Sequence, residues 1–237
     1  MGQKFERKKK RNILNSTIYK LSKFIGASES KKFELFANLE FIFNRLALES
    51  WMRMYADMEN HPSRELMFSF ISDKLPNNAV VLDIGCGYGE ISGMLGKVCK
   101  SVTGIDLNRH KLQHAIDHYT SGNVNFIYGD ALVYLRENQH NCNVLICSHI
   151  LEHLDDPLGM LRSFKDNFSF IYIEVPDFDN SYINLVRQRH NIPLNYTDED
   201  HVQEYDRDEM ARLITSLNMK IEHVEFRNGV MRFWVRV

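Results

Sequence analysis

The chain has 237 residues, a formal net charge of −2 at pH 7, 44% hydrophobic residues and 25% charged residues. These proportions are those of folded globular proteins and exclude disorder, collagen-like repeats and coiled coil as descriptions of the whole chain. No apolar run reaches the roughly 18–20 residues that span a bilayer, and the first residues lack the apolar block of a signal peptide. We therefore expect a cytoplasmic protein, peripheral at most to the inner face of a membrane.

Charge is distributed unevenly along the chain. Residues 1–24 hold eight Lys or Arg residues and one Glu, a net charge of +7, so the rest of the chain carries −9. An acidic body argues against nucleic acid as a partner. The basic segment also contains the apolar stripe Leu14, Ile18, Leu21 and Ile25, which favours a helix packed on the domain behind a solvated, charged lead-in. The alternative is weak peripheral membrane contact through residues 4–25.

Two further apolar patterns with helical spacing follow this stripe. One runs from Phe33 to Tyr55, with a break expected near Asn44, and the other begins at Pro62. We expect residues 1–76 to form a basic, helical extension that caps a cofactor site. Its candidate contacts with the cofactor are Trp51 and Tyr55. Packing in the core is the alternative for both side chains.

From residue 77 onward, short apolar runs alternate with amphipathic stretches, the pattern of a parallel sheet with crossover helices. The predicted strands are Val80–Ile84, Val102–Ile105, Val124–Tyr128, Val144–Cys147 and Phe170–Val175. The predicted helices lie near 90–99, 109–119, 130–137, 157–166 and 207–217. Two β-rich runs, 219–227 and 230–237, flank Asn228-Gly229, a strong hairpin signal. The predicted fold class is α/β: a Rossmann-like, seven-stranded, mostly parallel sheet over residues 77–237, with a C-terminal antiparallel hairpin and the N-terminal helical extension.

A glycine loop follows the first predicted strand. Gly85, Gly87 and Gly89 stand in the spacing G-x-G-x-G and open a predicted helix. Glycine permits the positive φ angles and the close backbone approach that a ligand-cradling turn needs. The carboxylate of the following Glu90 would repel the pyrophosphate of a dinucleotide. The loop therefore favours an uncharged or cationic ligand.

Two carboxylates follow the next two predicted strands. Asp106 stands just past the second strand, where it could accept both hydroxyls of a ribose, and Asp130 stands just past the third, in reach of an adenine edge. Each residue taken alone could instead be a helix N-cap. Together with the glycine loop they indicate a nucleotide site at the carboxyl end of the sheet.

These motifs resemble those of the class I S-adenosylmethionine-dependent methyltransferases. LDIGCGYG is similar to the first motif of that family, GIDLN to the second, YGDA to the third and CSHILEHLDDP to the fourth, and the resemblance covers residues 78–237. It implies S-adenosylmethionine as the cofactor. The implied cofactor-binding residues are Asp83, Gly85, Cys86, Gly87 and Gly89 at the methionine part, Asp106 at the ribose, Leu107, Asp130 and Ala131 at the adenine, and Ser148 with His149 at the sulfonium.

The fourth motif supplies the candidate catalytic residues His149, Glu152 and His153. Their H-x-x-E-H order is also that of an inverted zinc-protease motif, which requires both histidines on one helix, whereas His149 is predicted at a strand end. A closer resemblance is to ubiquinone-biosynthesis and RNA-end methyltransferases, some of which use a Glu-x-x-Glu-His metal cluster. His149 stands where the first Glu would be, so we expect no metal, with a divalent cation as the alternative. A loop-shaping pair between Glu152 and His153 is the structural alternative to catalysis.

A stretch of roughly 25 residues, 177–201, precedes the last predicted helix and is long enough for a lid over the acceptor. His201, followed four residues later by Tyr205, matches a pattern of the family's small-molecule members, so we expect it to be the catalytic residue on the acceptor side. A histidine bonded to backbone near a helix N-terminus is the alternative. Arg187 and Arg189 are candidates to bind a carboxylate or phosphate of the acceptor.

The resemblance implies methyl transfer from S-adenosylmethionine to a small-molecule acceptor or to a glycan-linked or lipid-linked one, with oxygen as the expected acceptor atom. Because the donor is already activated, the protein needs to align the acceptor and exclude water, and an oxygen acceptor also needs a base. The alternatives are an RNA methyltransferase, and a catalytically inactive membrane-associated or protein-binding module that retains the fold. The sequence does not define the oligomeric state.

Overall fold

A computed structural model describes residues 13–55, 60–137, 141–192 and 201–237. The helices in this part of the chain are α1 (Ile13–Ser22), α2 (Glu29–Met52), α3 (Pro62–Ser72), α4 (Glu90–Gly96), α5 (Arg109–Tyr119), α6 (Ala131–Glu137), α7 (Pro157–Phe164), α8 (Tyr182–Arg189) and α9 (Arg207–Ser216). The strands are β1 (Val80–Ile84), β2 (Ser101–Asp106), β3 (Val124–Tyr128), β4 (Val144–Ser148), β5 (Phe170–Pro176), β6 (Lys220–Arg227) and β7 (Val230–Arg236).

The strands form one seven-stranded sheet in the order β3-β2-β1-β4-β5-β7-β6. The first five are parallel, and β7 lies antiparallel between β5 and β6. The hairpin between β6 and β7 turns at Asn228 and Gly229, which have φ angles of +55° and +81°. A two-residue turn of this kind needs positive φ at both positions, which is why Asn-Gly favours it. The predicted fold class is confirmed.

The sheet has a packed core on each face because alternate strand residues point to opposite sides. On one face, Leu82 and Leu145 pack with apolar residues of α7 and α9. On the other, Val81 and Ile146 pack with apolar residues of α3 and α4. The central strands are therefore buried on both sides, and their carboxyl ends supply the exposed edge at which ligands bind in open α/β sheets.

The helical extension forms as expected, with one correction. The predicted break near Asn44 is wrong, since α2 runs without interruption from Glu29 to Met52. Neither Pro nor Gly interrupts this segment, and a single Asn costs a helix too little to end it. Pro62 occupies the first turn of α3, and His61 precedes it as the N-cap. The division of the chain at residue 76 stays a prediction.

The connection after β5 contains structure of its own. A 3₁₀ turn at Phe178–Asn180 leads into α8, a helix that the apolar pattern did not predict. Ser181 caps α8 by accepting the backbone N–H of Ile183. Residues 193–200 of the expected lid and residues 1–12 of the basic segment lie outside the described residues. None of the helices described is long and apolar enough to cross a bilayer.

A buried ion pair joins β5 to β7. Glu174 accepts hydrogen bonds from Arg232 Nε at 2.5 Å and from the Tyr172 hydroxyl at 2.8 Å, and Arg232 also donates to Glu225 at 2.8 Å. Burial raises the pKa of the Glu174 carboxyl, but His149, Arg232 and Tyr172 stabilise the ionised form more and lower the pKa to about 2. Glu174 is therefore an anion at all ordinary pH values.

Replacing Arg232 by Met leaves the buried Glu174 carboxylate without its nearest hydrogen-bond partner. We expect Arg232→Met to lower the free energy of unfolding by about 3–5 kcal/mol, and the double variant Glu174→Gln/Arg232→Met to recover much of that loss. Urea denaturation of the two variants measures both effects. Arg236→Met is the matched control, because Arg236 pairs with Glu222 while half-exposed and its loss costs no more than about 1 kcal/mol. Equal losses for the two single variants contradict this account.

Candidate active site

The glycine loop between β1 and α4 has the backbone that its spacing predicts. Gly85, Gly87 and Gly89 all have positive φ angles, of +66°, +58° and +84°. A Cβ at Gly89 would lie 2.6 Å from the Cβ of Ala115, so this glycine also permits close packing of α4 against α5. The loop therefore curls over the end of β1 with its backbone open to a ligand.

Asp106 fastens the glycine loop to the neighbouring strand. Its Oδ2 accepts the Gly87 N–H at 2.7 Å, and its Oδ1 accepts the Asn108 N–H at 2.7 Å. Asn108 is the N-cap of α5, so the N-cap alternative for Asp106 is wrong. The next residue, Leu107, is 62% exposed. Both carboxylate oxygens keep unused lone pairs that could accept ribose hydroxyls.

Asp130 shows the N-cap arrangement that was its alternative. One carboxylate oxygen accepts the backbone N–H groups of Leu132 and Val133, at 2.7 and 3.2 Å. It thereby caps α6, which begins at Ala131. The second oxygen has the capacity to accept a further donor, so an adenine contact at Asp130 and Ala131 stays a prediction.

A cavity of about 520 Å³ opens at the carboxyl ends of β1 and β4. Its lining residues are Met52, Arg53, Arg64, Met67, Asp83, Gly85, Cys86, Gly87, Tyr88, Glu90, Ile91, Lys111, Ser148, His149 and His153. The structure thus brings together all the residues expected at the methionine and sulfonium except Gly89, which does not line the cavity. The residues expected at the ribose and adenine are not among the lining residues either, and they stand at the end of β2 and after β3.

The C-terminal end of α2 reaches this cavity, but not through the aromatic residues. Met52 and Arg53 line it, whereas Trp51 and Tyr55 pack on His61, with ring centroids 4.1 and 4.8 Å away. Both aromatic residues are half-buried rather than part of the core, and a contact with the cofactor stays a prediction. Their role is to hold the end of α2 against the start of α3.

Arg64 of α3 is a site residue that the sequence analysis missed. It lines the cavity, and its Nε is buried without a hydrogen-bond partner. The neighbouring Asp83 is buried and accepts the Ser92 hydroxyl at 2.6 Å. Burial raises the pKa of Asp83 to about 6, although the Ser92 hydrogen bond and the charge of Arg64 oppose the rise. No motif marks Arg64, because only the packing of α3 beside the loop places it here.

His149 is held as a cation between two carboxylates. Its Nδ1 lies 2.9 Å from Glu152 Oε1, and its Nε2 lies 3.4 Å from Glu174 Oε1. Desolvation lowers the pKa of the imidazole, but the two carboxylates outweigh it and raise the pKa to about 10. A protonated imidazole cannot accept a proton, so His149 is not a base at neutral pH. Its φ of +53°, directly after β4, also excludes the single helix of the zinc-protease motif.

Glu152, His153 and His201 form a compact cluster behind His149. One ligand atom from each lies within 4.8 Å of the others, and the rings of His153 and His201 meet edge to face at 4.7 Å. Glu152 is fully buried, pairs with His149 rather than with His153, and leaves its Oε2 without a partner. One carboxylate and two imidazoles are a donor set that suits a divalent transition metal. The structure therefore fits the cation that the sequence analysis kept as an alternative.

The candidate residues on the acceptor side differ in burial. His201 is buried, and its Nδ1 lies 3.1 Å from Glu204 Oε1, a partner that the sequence analysis did not name. Arg187 is 3% exposed and its Nε has no partner, whereas Arg189 on the same helix is exposed. Since a buried guanidinium needs an anion, Arg187 is the better candidate to bind an acidic group of the acceptor.

A family model described as a methyltransferase domain matches residues 54–224. The chain belongs to this methyltransferase family. Among curated proteins it is similar to the ubiquinone biosynthesis O-methyltransferases of Haemophilus ducreyi (31% identity over 131 residues, 52% of this chain and 56% of the relative) and Vibrio parahaemolyticus (27% over 146 residues, 59% and 57%). The chain thus matches little more than half the length of these relatives.

Solved structures show the same fold. The magnesium protoporphyrin IX methyltransferase of Synechocystis with bound SAH aligns with a TM-score of 0.57 at 14% identity, covering 82% of this chain and 95% of that one. A complex described as DhpI-SAM-HEP aligns with a TM-score of 0.59 at 16% identity, covering 84% and 96%. The expected class is confirmed at the level of family and fold: this methyltransferase has the class I fold.

The raised pKa of His149 predicts a pH dependence of stability. The folded state holds the proton up to about pH 10, whereas the unfolded chain releases it near the ordinary value of 6.5. The stability that His149 contributes is therefore fully present below pH 6.5 and is lost as the pH rises through about 10.

We expect His149→Gln to unfold at a lower temperature than the wild type at pH 6, and the difference to shrink steadily towards pH 10. Thermal unfolding monitored by circular dichroism across this range measures it. His110→Gln, at an exposed histidine on α5, is the control and should show no such trend. A difference for His149→Gln that is constant over the range refutes the charged state assigned here.

Proposed function

We propose that this methyltransferase transfers a methyl group to an oxygen atom of a small-molecule acceptor, free or linked to a glycan or lipid. The observation that carries the proposal is the composition of the two cavity walls. One wall is the glycine loop with Arg64, and the opposite wall presents His149 and His153, with Glu152 and His201 directly behind. Two similar proteins are named O-methyltransferases, which supports oxygen as the acceptor atom.

In this proposal the cofactor lies along the carboxyl ends of β1 and β2. Arg64 pairs with the carboxylate of the methionine part, because its Nε is buried and lacks a partner and it lines the cavity beside the loop. Asp106 accepts the ribose hydroxyls with its unused lone pairs. Leu107 covers one face of the adenine, and Asp130 with Ala131 meets its edge. Ser148 then stands at the sulfonium, held by its hydrogen bond to Glu174.

The transfer itself is a direct displacement. A lone pair of the acceptor oxygen forms the new bond to the methyl carbon, the carbon–sulfur bond breaks, and its electron pair stays on sulfur. The hydroxyl proton leaves to a base, for which His153 and His201 are the candidates because His149 is already protonated. In the alternative, Glu152, His153 and His201 would hold a divalent cation that lowers the pKa of that hydroxyl. The ligating histidines would then not act as the base, and the proton would pass to solvent.

The alternative functions have less support. The acidic body argues against an RNA acceptor. An inactive module has no need to keep a half-buried Arg64 whose Nε lacks a hydrogen-bond partner beside an open cavity. Such an orphaned donor costs stability unless a ligand uses it.

Two substitutions separate the parts of the cofactor site. Arg64→Gln should weaken binding of S-adenosylhomocysteine by about 10-fold or more and leave adenosine binding unchanged, since adenosine lacks the methionine carboxylate. Asp106→Ala should weaken binding of both, because the ribose is common to them and the loop loses its tie. Isothermal titration calorimetry with the two ligands measures these losses.

The matched control for Arg64 is Arg53→Gln. Arg53 also lines the cavity, but its side chain is exposed and lies 3.6 Å from Glu49. We expect less than about a twofold change for this variant. If Arg64→Gln weakens adenosine as much as S-adenosylhomocysteine, the carboxylate assignment is wrong.

A third substitution tests the acceptor side. His201→Ala should reduce turnover by about 100-fold, the usual size of a lost acid-base group, without changing the affinity for S-adenosylhomocysteine. Methyl transfer from labelled S-adenosylmethionine to a panel of phenols and catechols measures turnover. His190→Ala, at an exposed histidine after α8, is the control. Unchanged turnover in His201→Ala refutes the role assigned to this residue.

A further inference from the structure

The N-terminal helices expose far more apolar surface than the rest of the chain. More than half of the large apolar side chains that are exposed in the described residues lie within residues 13–54. Of the 24 residues of α2, only Ala37 is buried. Apolar surface concentrated in this way indicates a partner that covers it.

In α1 one apolar stripe lies opposite the charged side chains. Leu14, Ile18 and Leu21 are 57–66% exposed and follow one another at intervals of four and three residues, so they share one face. At 100° per residue, Lys20 and Lys23 point away from that face. Residues 13–28 contain no Asp or Glu. The helix is therefore amphipathic and purely cationic.

In α2 the exposed apolar face is longer. Its residues are Leu35, Phe36, Leu39, Ile42, Phe43 and Leu46, each exposed by 37% or more. Helical geometry places them within an arc of about 120°. The glutamates at positions 29, 34, 40 and 49 fall outside this arc. The face is thus apolar from Leu35 to Leu46, and no carboxylate interrupts it.

This same helix leads to the cavity. At about 1.5 Å per residue α2 is about 36 Å long, and Met52 at its end lines the cavity together with Arg53. The contact of Trp51 with His61 holds that end in place. A partner that binds along the apolar face of α2 therefore lies next to the entrance of the candidate active site.

Charge decides between the partners that could cover these helices. Residues 1–24 carry a net charge of +7. In a symmetric dimer the same patch faces itself, so a second copy would bring these cations together. An anionic bilayer supplies the opposite charge and an apolar layer at the depth that an interfacial helix reaches.

We propose that α1 and α2 bind the surface of an anionic lipid bilayer and bring the cavity entrance to an acceptor that resides in the membrane. The location of the acceptor rests on the function proposed above; the binding of lipid does not. Residues 1–12 contribute to the proposal only through their charge.

Vesicle flotation of the full chain tests the proposal. We expect the protein to float with vesicles of phosphatidylcholine and phosphatidylglycerol, to float poorly with phosphatidylcholine alone, and to be released by high salt. Leu14→Gln/Ile18→Gln and Leu39→Gln/Ile42→Gln should each reduce the floating fraction by about tenfold. The control is Val98→Gln/Val133→Gln, which replaces exposed apolar residues elsewhere and should float like the wild type.

Two further readouts separate the outcomes. Every variant should keep the wild-type affinity for S-adenosylhomocysteine, so a loss of flotation does not reflect unfolding or a failed cofactor site. Equal flotation of all variants, or none for the wild type, overturns the proposal. Sedimentation equilibrium showing a dimer that Leu39→Gln/Ile42→Gln dissociates would also overturn it, because a second copy then covers the face.

Discussion

The hydrogen bond from the Gly87 N–H to Asp106 Oδ2, 2.7 Å long, sets the geometry on which the candidate active site depends. It joins the loop after β1 to the end of β2, so the two segments expected to bind the methionine part and the ribose keep a fixed separation. The same carboxylate also accepts a hydrogen bond from the Asn108 N–H and thereby positions the start of α5. Glycine pays the largest entropy cost when its backbone is fixed, and this contact helps to hold the glycine-rich loop in one conformation.

A second polar system stabilises the opposite wall. Glu174 connects Arg232 and Tyr172 in the sheet with Ser148 and His149 at the cavity. Since β7 inserts antiparallel beside β5, it brings Arg232 opposite Glu174 in register. The antiparallel hairpin therefore does more than complete the sheet. Its buried cation keeps Glu174 ionised, and Glu174 in turn helps keep His149 protonated and unable to act as a base.

Local patterns predicted most of the fold and part of the site. Short apolar runs predicted the strands, and Asn228-Gly229 predicted the hairpin. The glycines and the Asp that follow predicted strand ends identified the glycine loop and Asp106 as parts of the site. What could not be predicted depends on contacts between distant segments: Arg64 beside the loop, Arg232 beside Glu174, and His201 beside His153. Helical period alone does not distinguish a residue that packs on a neighbouring helix from one that lines a cavity, so a cofactor contact of Trp51 or Tyr55 stays a prediction. The cofactor roles of individual residues stay predictions.

Titration of the full chain with S-adenosylmethionine, S-adenosylhomocysteine and NAD, with and without magnesium, tests the central claim most directly. The account predicts saturable, one-to-one binding of the two sulfur nucleotides and none of NAD, because Glu90 at the start of α4 is buried beside the cavity and repels a pyrophosphate. Binding of NAD, or of none of the three, would contradict it.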